Sequence, residues 1–394
     1  MRRCAAGGKR FGAGSLHFGA IILRTSPILA VVGTRPEAIK TAPVLQGLQA
    51  RGLAPGLVLT GQHPQLDLAA FGLDRLPHHR LACPGRTDPR AHAEEVAAAV
   101  APLLDRTTEL LIVQGDTSSA LGGALAGFRR GIPVAHVEAG LRTFDPALPW
   151  PEEDNRVTID GQASLLFAPT ETSAANLRAE GAPGEIHITG NTGIDALRSL
   201  LGRVPLPHLS AVNERPRLLV TCHRRENWGA AFLPIAEALL VLDSSNALQI
   251  DVVLPPNAAV AGTMRELLGG RFGIRLLPAL DHQAMIAAMR SAAILLSDSG
   301  GVQEEAPALG VPLLVLREKT ERPEGVTSGN MRLVGNDRDR IVAEVRRLLT
   351  DADAYTAMAQ PRLPYGDGHA AERIAAAIVA WLGRAAEAEE RLTA

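Results

Sequence analysis

The sequence predicts an α/β protein of two domains, each built on a parallel sheet, with a ligand crevice between them. Three observations carry this. Short apolar runs end repeatedly at glycine-containing turns and pass into helical patterns, the signature of βαβ units. The alternation breaks once, in the Pro- and Leu-rich stretch 202–216 (GRVPLPHLSAVNERP), which reads as a linker, and then restarts. At 394 residues the chain also exceeds what one hydrophobic core usually serves, about 250–300 residues.

The first 27 residues stand apart. They carry Arg2, Arg3, Lys9, Arg10 and Arg24 and no acid, and their apolar patch, Phe18 to Leu23, is interrupted by Gly19. No cleavage site follows, so a loosely ordered basic extension is expected rather than a signal peptide. From Ile28, ILAVV is a strand, Gly33-Thr34-Arg35-Pro36 a turn, and a helix follows, with Pro36 in the first turn where a missing N–H costs nothing. LVLT (57–60) is a strand ending at Gly61-Gln62-His63, and 91–104 is an Ala/Val-rich helix. LLIVQ (110–114) ends at Gly115-Asp116-Thr117 and feeds a small-residue helix, 118–130. VAHVE (134–138) ends on Glu138, and a Pro-punctuated loop with Trp150 leads to Glu152 and Glu153 at the head of a helix. SLLFAPT (164–170) and EIHIT (185–189) complete the first half.

In the second half RLLVT (217–221) ends at the charged turn Cys222-His223-Arg224-Arg225-Glu226-Asn227. DVVLP (251–255), GIRLLPAL (273–280), AAILLSD (292–298) and VPLLVL (311–316) follow, the third ending at Ser299-Gly300-Gly301. Residues 369–392 form an amphipathic helix with Ile374, Ile378 and Leu382 on one face.

Composition narrows the function. A hydrophobic fraction of 46% supports two packed cores. With 40 Lys+Arg against 42 Asp+Glu there is no bulk attraction to nucleic acid or anionic membrane, and aromatics at 3% are too few for base-stacking platforms. No apolar run approaches the roughly 18–20 residues of a membrane span. Cys4, Cys83 and Cys222 have neither zinc spacing nor the makings of a disulfide framework, which fits a reducing cytoplasm.

The clearest ligand signal is SDSGGVQEEA (297–306). Ser299, Gly300 and Gly301 lie between a strand and a helix, so free N–H groups point at an anion, and Glu305 can accept from a vicinal diol such as ribose. A nucleoside diphosphate site is expected. Neither G-x-G-x-x-G nor a Walker motif occurs, so no dinucleotide cofactor is indicated, and no His/Cys/Asp cluster suggests a metal. Arg35 and Lys40 flank the first turn of one half and Arg224 the first turn of the other, opposed as a diphosphate would require. Asp116, Glu138, Glu152 and His223 all sit at strand ends or the loops beyond them, where proton transfer needs such groups. Each alone is ordinary: a capping acid, a surface arginine, a Gly-rich turn. Their convergence on one crevice favours catalysis.

These stretches resemble the bacterial non-hydrolysing UDP-N-acetylglucosamine 2-epimerases. GTRPEAIK (33–40), TGQH (60–63), VQGDT (113–117), HVEAGLR (136–142), PWPEEDNR (149–156), GNTGIDAL (190–197), CHRREN (222–227), SDSGGVQEEA (297–306), RPEG (322–325) and YGDGHAAERI (365–374) occur in family order. The resemblance implies two Rossmann-like domains of GT-B type, 28–192 and 193–365, with residues 366–394 packing back on the first. It implies a homodimer that interconverts UDP-GlcNAc and UDP-ManNAc through 2-acetamidoglucal. Asp116, Glu138 and Glu152 would then be the acid/base groups, with His223 assisting at the leaving diphosphate. Arg35, Lys40, Arg156 and Arg224 would lie near the phosphates or their supporting acids. Ser299, Gly300 and Gly301 would cradle the diphosphate, and Glu305 the ribose.

Three departures follow. Pro255-Pro256-Asn257-Ala258 replaces a family H-x-N-P motif, whose His helps hold a second, activating substrate; Gln62, Gln65 and Arg224 are what remains of that regulatory site. Met285 stands where relatives often set an aromatic ring against uracil, and the loop 81–90 departs from the usual pattern. The rival readings are a hydrolysing epimerase releasing UDP and ManNAc, a GT-B glycosyltransferase, and a sugar-nucleotide-binding regulator without turnover.

Overall fold

The computed structural model describes residues 26–202 and 215–393. Nearly all of the basic extension and most of the 202–216 linker therefore lie outside the described residues. The first sheet has seven strands: β1 (Ile28–Val32), β2 (Gly56–Leu59), β3 (His78–Arg80), β4 (Leu110–Gln114), β5 (Val134–Val137), β6 (Leu165–Ala168) and β7 (Glu185–Ile188). Their order is β3-β2-β1-β4-β5-β6-β7, and every pairing is parallel. Helices α1 (Arg35–Gln49), α2 (Pro89–Val100), α3 (Ser118–Arg130), α4 (Glu152–Asp160), α5 (Glu171–Ala179) and α6 (Thr192–Leu201) accompany it.

The second sheet is also wholly parallel: β8 (Arg217–Thr221), β9 (Gln249–Val253), β10 (Ile274–Leu277), β11 (Ile294–Ser297), β12 (Leu313–Val315) and β13 (Met331–Leu333), ordered β10-β9-β8-β11-β12-β13. Its helices are α7 (Leu233–Ser244), α8 (Ala258–Leu268), α9 (His282–Ser291), α10 (Gly300–Leu309), α11 (Pro323–Thr327), α12 (Arg338–Thr350) and α13 (Ala352–Met358); α14 (Ala370–Thr393) ends the chain.

Alternation along a buried strand sends neighbouring side chains to opposite faces. Ile28, Ala30 and Val32 pack with Leu45, Leu48 and Phe167 on one face of the first sheet, and Leu29 and Val31 with Val96, Val100 and Ala124 on the other. Ala371, Ile374, Ala375 and Ile378 of α14 join the first of these clusters, so the last helix lies against the first domain. In the second sheet Leu218 and Val220 face Ile235, Leu239 and Leu242, while Leu219 and Leu295 face Ile286, Met289 and Val302.

Two strands escape the sequence reading. β3 (HHR) and β13 (MRL) are three-residue edge strands that remain partly exposed, so neither carries an apolar run. Several expected runs also overreach. GIRLLPAL yields only the four residues of β10, because Pro278 has no N–H to continue the ladder. The helix expected at 91–104 starts earlier, at Pro89, where the Asp88 side chain accepts from the Arg90 and Ala91 amides at 2.9 and 3.2 Å, and its last turn tightens at 101–103.

Each sheet reverses strand order once, between β1 and β4 and between β8 and β11. Ligands of open α/β sheets bind outside the strand C-termini at such switch points. The turns leaving these four strands carry Gly33 to Arg35, Asp116, His223 and Ser299.

Candidate active site

Asp116 stands on the turn after β4. Its carboxylate pairs with Nη2 of Arg156, and its main-chain carbonyl accepts from Asn155 Nδ2 at 2.7 Å. Arg156 and Asn155 come from α4, the helix that follows the loop with two cis peptide bonds, Leu148–Pro149 and Trp150–Pro151. Arg156 is buried and is braced by Glu153 Oε2 at 2.8 Å, one turn back on the same helix. Glu152, at the head of α4, crosses the crevice: its Oε1 accepts from Arg224 Nη1 at 3.0 Å, and its buried Oε2 has no protein partner.

Glu138 lies at the end of β5 with φ +74°, a left-handed conformation that a non-glycine residue adopts at a cost and that is concentrated at functional sites. Its Oε1 and Oε2 accept from Lys40 Nζ at 2.7 and 2.8 Å. Oε1 also accepts from Arg322 Nη2 at 3.1 Å and Asn191 Nδ2 at 3.2 Å, and Oε2 from the Gln114 side chain. Lys40 Nζ reaches Glu304 of the second domain at 2.8–2.9 Å, and Arg322 Nε donates to the same carboxylate at 2.7 Å. Lys40, Glu138, Glu304 and Arg322 thus close a ring of alternating charge, all four buried between the domains. Burial pushes the Glu138 carboxyl above its usual range; Lys40 and Arg322 draw it down and Glu304 pushes it up. For Glu304 the two cations outweigh burial and hold it below.

Behind Arg322 sits Glu321, buried and bound to Arg322 Nη1 and to Arg317 Nη1 at 2.9 Å. Burial would raise its carboxyl, but Arg317, Arg322, Arg156 and Arg224 together hold it well below the carboxylate range. Four guanidiniums therefore converge around one buried acid, a positive field suited to a diphosphate.

His223, after β8, donates its main-chain N–H to Asp298 Oδ2 at 3.0 Å, and its half-exposed ring lies 3.5 Å from Asp298 Oδ1. Its surroundings hold the imidazole below its ordinary value: desolvation acts first, Asp298 opposes it, and Arg224 and Arg317 reinforce it. Ser299 caps α10 by accepting from Val302 N at 3.5 Å. Gly300 opens the helix against the Arg322 guanidinium and Gly301 follows it, so this N-terminus faces the same crevice as the ring. Arg35 Nη2 bridges the crevice to the Leu280 carbonyl at 3.0 Å.

The structure therefore gathers Arg35, Lys40, Asp116, Glu138, Glu152, Arg156, His223, Arg224, Ser299, Gly300 and Gly301 about one interdomain crevice. Glu305 turns away from the ring and accepts from His282 Nε2 at 2.6 Å, and half-buried Met285 lies one turn along α9 from that histidine. Gln62 accepts from Ser119 Oγ at 2.7 Å, and Gln65 is exposed on the same loop. Sequence reading gives no role to Arg322, Glu304, Glu321, Arg317 or Asn191. The RPEG stretch was the available signal for Arg322, and QEEA for Glu304. Among the described residues no group of three or more His, Cys, Asp and Glu is arranged to hold a metal, and no helix is long and apolar enough to cross a membrane.

A family model described as UDP-N-acetylglucosamine 2-epimerase matches residues 46–379. The chain is similar to the UDP-N-acetylglucosamine 2-epimerase of Salmonella typhimurium, 40% identical over 370 residues that cover 89% of this chain and 98% of that protein. Among solved structures it is similar to the UDP-GlcNAc 2-epimerase from Neisseria meningitidis bound to UDP-GlcNAc, with TM-score 0.84 and 34% identity over 89% of this chain and 99% of that one. It is likewise similar to the Methanocaldococcus jannaschii enzyme in complex with UDP-GlcNAc and UDP, with TM-score 0.79 and 31% identity over the same shares.

Proposed function

The chain belongs to the UDP-N-acetylglucosamine 2-epimerase family, and we propose from that premise that it interconverts UDP-GlcNAc and UDP-ManNAc without hydrolysis. The observation that carries the reading is the sharing of one crevice by three carboxylates and the cations that pair with them.

The C2 proton of a glycoside has no neighbouring carbonyl to acidify it, so its loss is coupled to departure of the nucleotide. A carboxylate takes the C2 proton, the C1–O bond breaks with its electron pair passing to the β-phosphate oxygen, and a C1=C2 double bond forms, giving 2-acetamidoglucal. Return of a proton to the opposite face of C2 and of the phosphate oxygen to C1 inverts one centre with no net oxidation. Asp116, Glu138 and Glu152 are the acid/base groups in this reading. His223 assists at the leaving diphosphate, its imidazole drawn below the ordinary value chiefly by desolvation. Arg35, Lys40, Arg156 and Arg224 bind the phosphates or orient the acids, and Ser299, Gly300 and Gly301 cradle the diphosphate at the head of α10. Glu305 takes the ribose and Met285 the base face. An entering diphosphate competes with the carboxylates for the same cations, so substrate binding frees the acids for proton transfer. Gln62 and Gln65 remain as a regulatory site lacking the family His, and the cytoplasm is the expected compartment.

The test is incubation of the enzyme with UDP-GlcNAc in D₂O, followed by NMR. Deuterium at C2 and appearance of UDP-ManNAc are expected, with turnover lowered by ~10²-fold or more in Asp116→Asn and Glu138→Gln and binding largely kept. Free ManNAc with UDP, or saturable binding without exchange, would refute the reading.

We infer a homodimer as well. Phe144 (72% exposed) and Val157 (44% exposed) border a hollow of about 550 Å³ on the outer side of α4, where a second copy would cover apolar surface. Light scattering should give twice the chain mass, and Phe144→Asp should return it to the monomer value. A wild-type monomer at micromolar concentration would exclude this.

A further inference from the structure

Glu304 and Arg322 are the members of the buried ring that the proposed reaction leaves without a task, and Glu304 is the carboxylate of the two. We propose that Glu304, reaching across from the second domain, is a positioning residue for Glu138: by sharing Lys40 and Arg322 with it, Glu304 determines where both cations stand around that carboxylate. The inference rests on the reading of Glu138 as an acid/base group.

The geometry leaves little slack. Lys40 has three N–H donors; two go to Glu138 at 2.7 and 2.8 Å and the third to Glu304. Arg322 is held on three sides by three acids: Nε by Glu304, Nη1 by Glu321 and Nη2 by Glu138. Removing Glu304 deletes its contacts with Lys40 Nζ and with Arg322 Nε and Nη2, which help orient each cation. The backbone is also shaped around the ring. A Cβ at Gly193 would stand 3.2 Å from Glu304 Oε2 and 3.4 Å from Lys40 Cε, and one at Gly300 would stand 3.0 Å from the Arg322 guanidinium. Gly193 lies on α6 and Gly300 at the head of α10, and both leave space where the ring closes.

The charged and titratable groups facing Glu138 are Lys40 from α1, Glu304 from α10 and Arg322 ahead of α11. Glu321 backs Arg322, and the Tyr365 hydroxyl donates to the Arg322 carbonyl at 3.0 Å from the loop ahead of α14. Gln114 and Asn191 complete the shell without charge. Glu304 is the only other carboxylate among those groups in direct reach of Lys40, so it takes positive charge that Glu138 would otherwise hold alone. Two carboxylates competing for shared cations separate in proton affinity. Neutralising Glu304 therefore makes Glu138 a stronger acid, and its ionisation moves to lower pH.

The experiment compares the pH dependence of kcat and kcat/KM for wild type, Glu304→Gln, Glu304→Asp and Glu138→Gln with UDP-GlcNAc. Glu304→Gln should shift the acid limb of kcat/KM down by about one pH unit and lower kcat about tenfold, with KM within about threefold. Glu304→Asp keeps the charge but draws it back by one methylene; its acid limb should stay in place while kcat falls. A Glu304→Gln profile that superimposes on wild type, with only the melting temperature lowered, would overturn the proposal. If that variant does not fold, Glu304→Asp decides: wild-type kcat overturns the proposal, and a tenfold fall with the acid limb in place supports it. Full turnover in Glu138→Gln would instead remove the underlying reading, an outcome distinct from the others.

Discussion

Glu37 shows how much one side chain can be asked to hold. It completes the capping box of α1 with Thr34, accepting from the Gly33 and Thr34 amides at 2.5 and 3.0 Å, and also accepts from the Thr117 hydroxyl, one residue past Asp116. It thereby ties the two turns that flank the first switch point. Burial pushes its carboxyl up to about 7, against the hydrogen bonds that favour the charge. Because the folded value lies above the unfolded one, the stability linked to this group is fully present below about pH 4.5 and lost as pH rises through 7. That loss is of order 3 kcal/mol for a shift of about 2.5 units. Glu37→Gln cannot ionise, so its stability relative to wild type should improve by roughly that amount between pH 5 and pH 8, measured by urea denaturation. A difference that stays flat across this range would show that Glu37 does not titrate there. The positions of Asp116, Glu138, His223 and Ser299 at the crevice were legible because strand ends can be read locally. Glu37 was not, because its contact with Thr117 joins turns 80 residues apart.

At the scale of elements, α4 and α14 do different work. α4 is nine residues long and sets Glu152 and Arg156, four apart and so on one face, into the crevice. Its first turn is acidic, as favoured by the helix dipole, yet two of its three acids take part in the site: Glu152 reaches Arg224 and Glu153 braces Arg156. The acidic first turn makes no side-chain cap, so Glu152 and Glu153 serve the site, which the sequence alone could not separate from capping. α14 is structural. Ile378 is fully buried against the first domain, whereas its neighbour Val379 is 39% exposed. Ile378→Ala should cost about 2–5 kcal/mol in denaturant unfolding, and Val379→Ala less than about 1 kcal/mol. Equal losses at the two positions would mean that the helix does not dock on this face.

Across the whole molecule, two switch points face each other and are joined by contacts of unequal weight. The Lys319–Asp145 pair bridges the domains at 2.7 Å with Lys319 51% exposed, where water and salt screen it. The charge ring lies inside and is shielded from both. Lys319→Ala should therefore change stability by less than about 1 kcal/mol and leave turnover within about twofold, checked by denaturation and steady-state kinetics. An effect as large as that of Glu304→Gln would show that the rim, not the ring, holds the domains together. By itself the sequence determined the parallel α/β class, the strand ends on which charges stand and the family, since hydrophobic period, glycine turns and motif order are all local. Only the tertiary structure decided which carboxylate of the QEEA stretch meets the crevice. Adjacent residues on a helix point about 100° apart, so the seating of α10 on the second sheet sends Glu304 to Lys40 and Glu305 to His282. The same holds for Arg322, whose three carboxylate partners meet only once the two domains stand face to face.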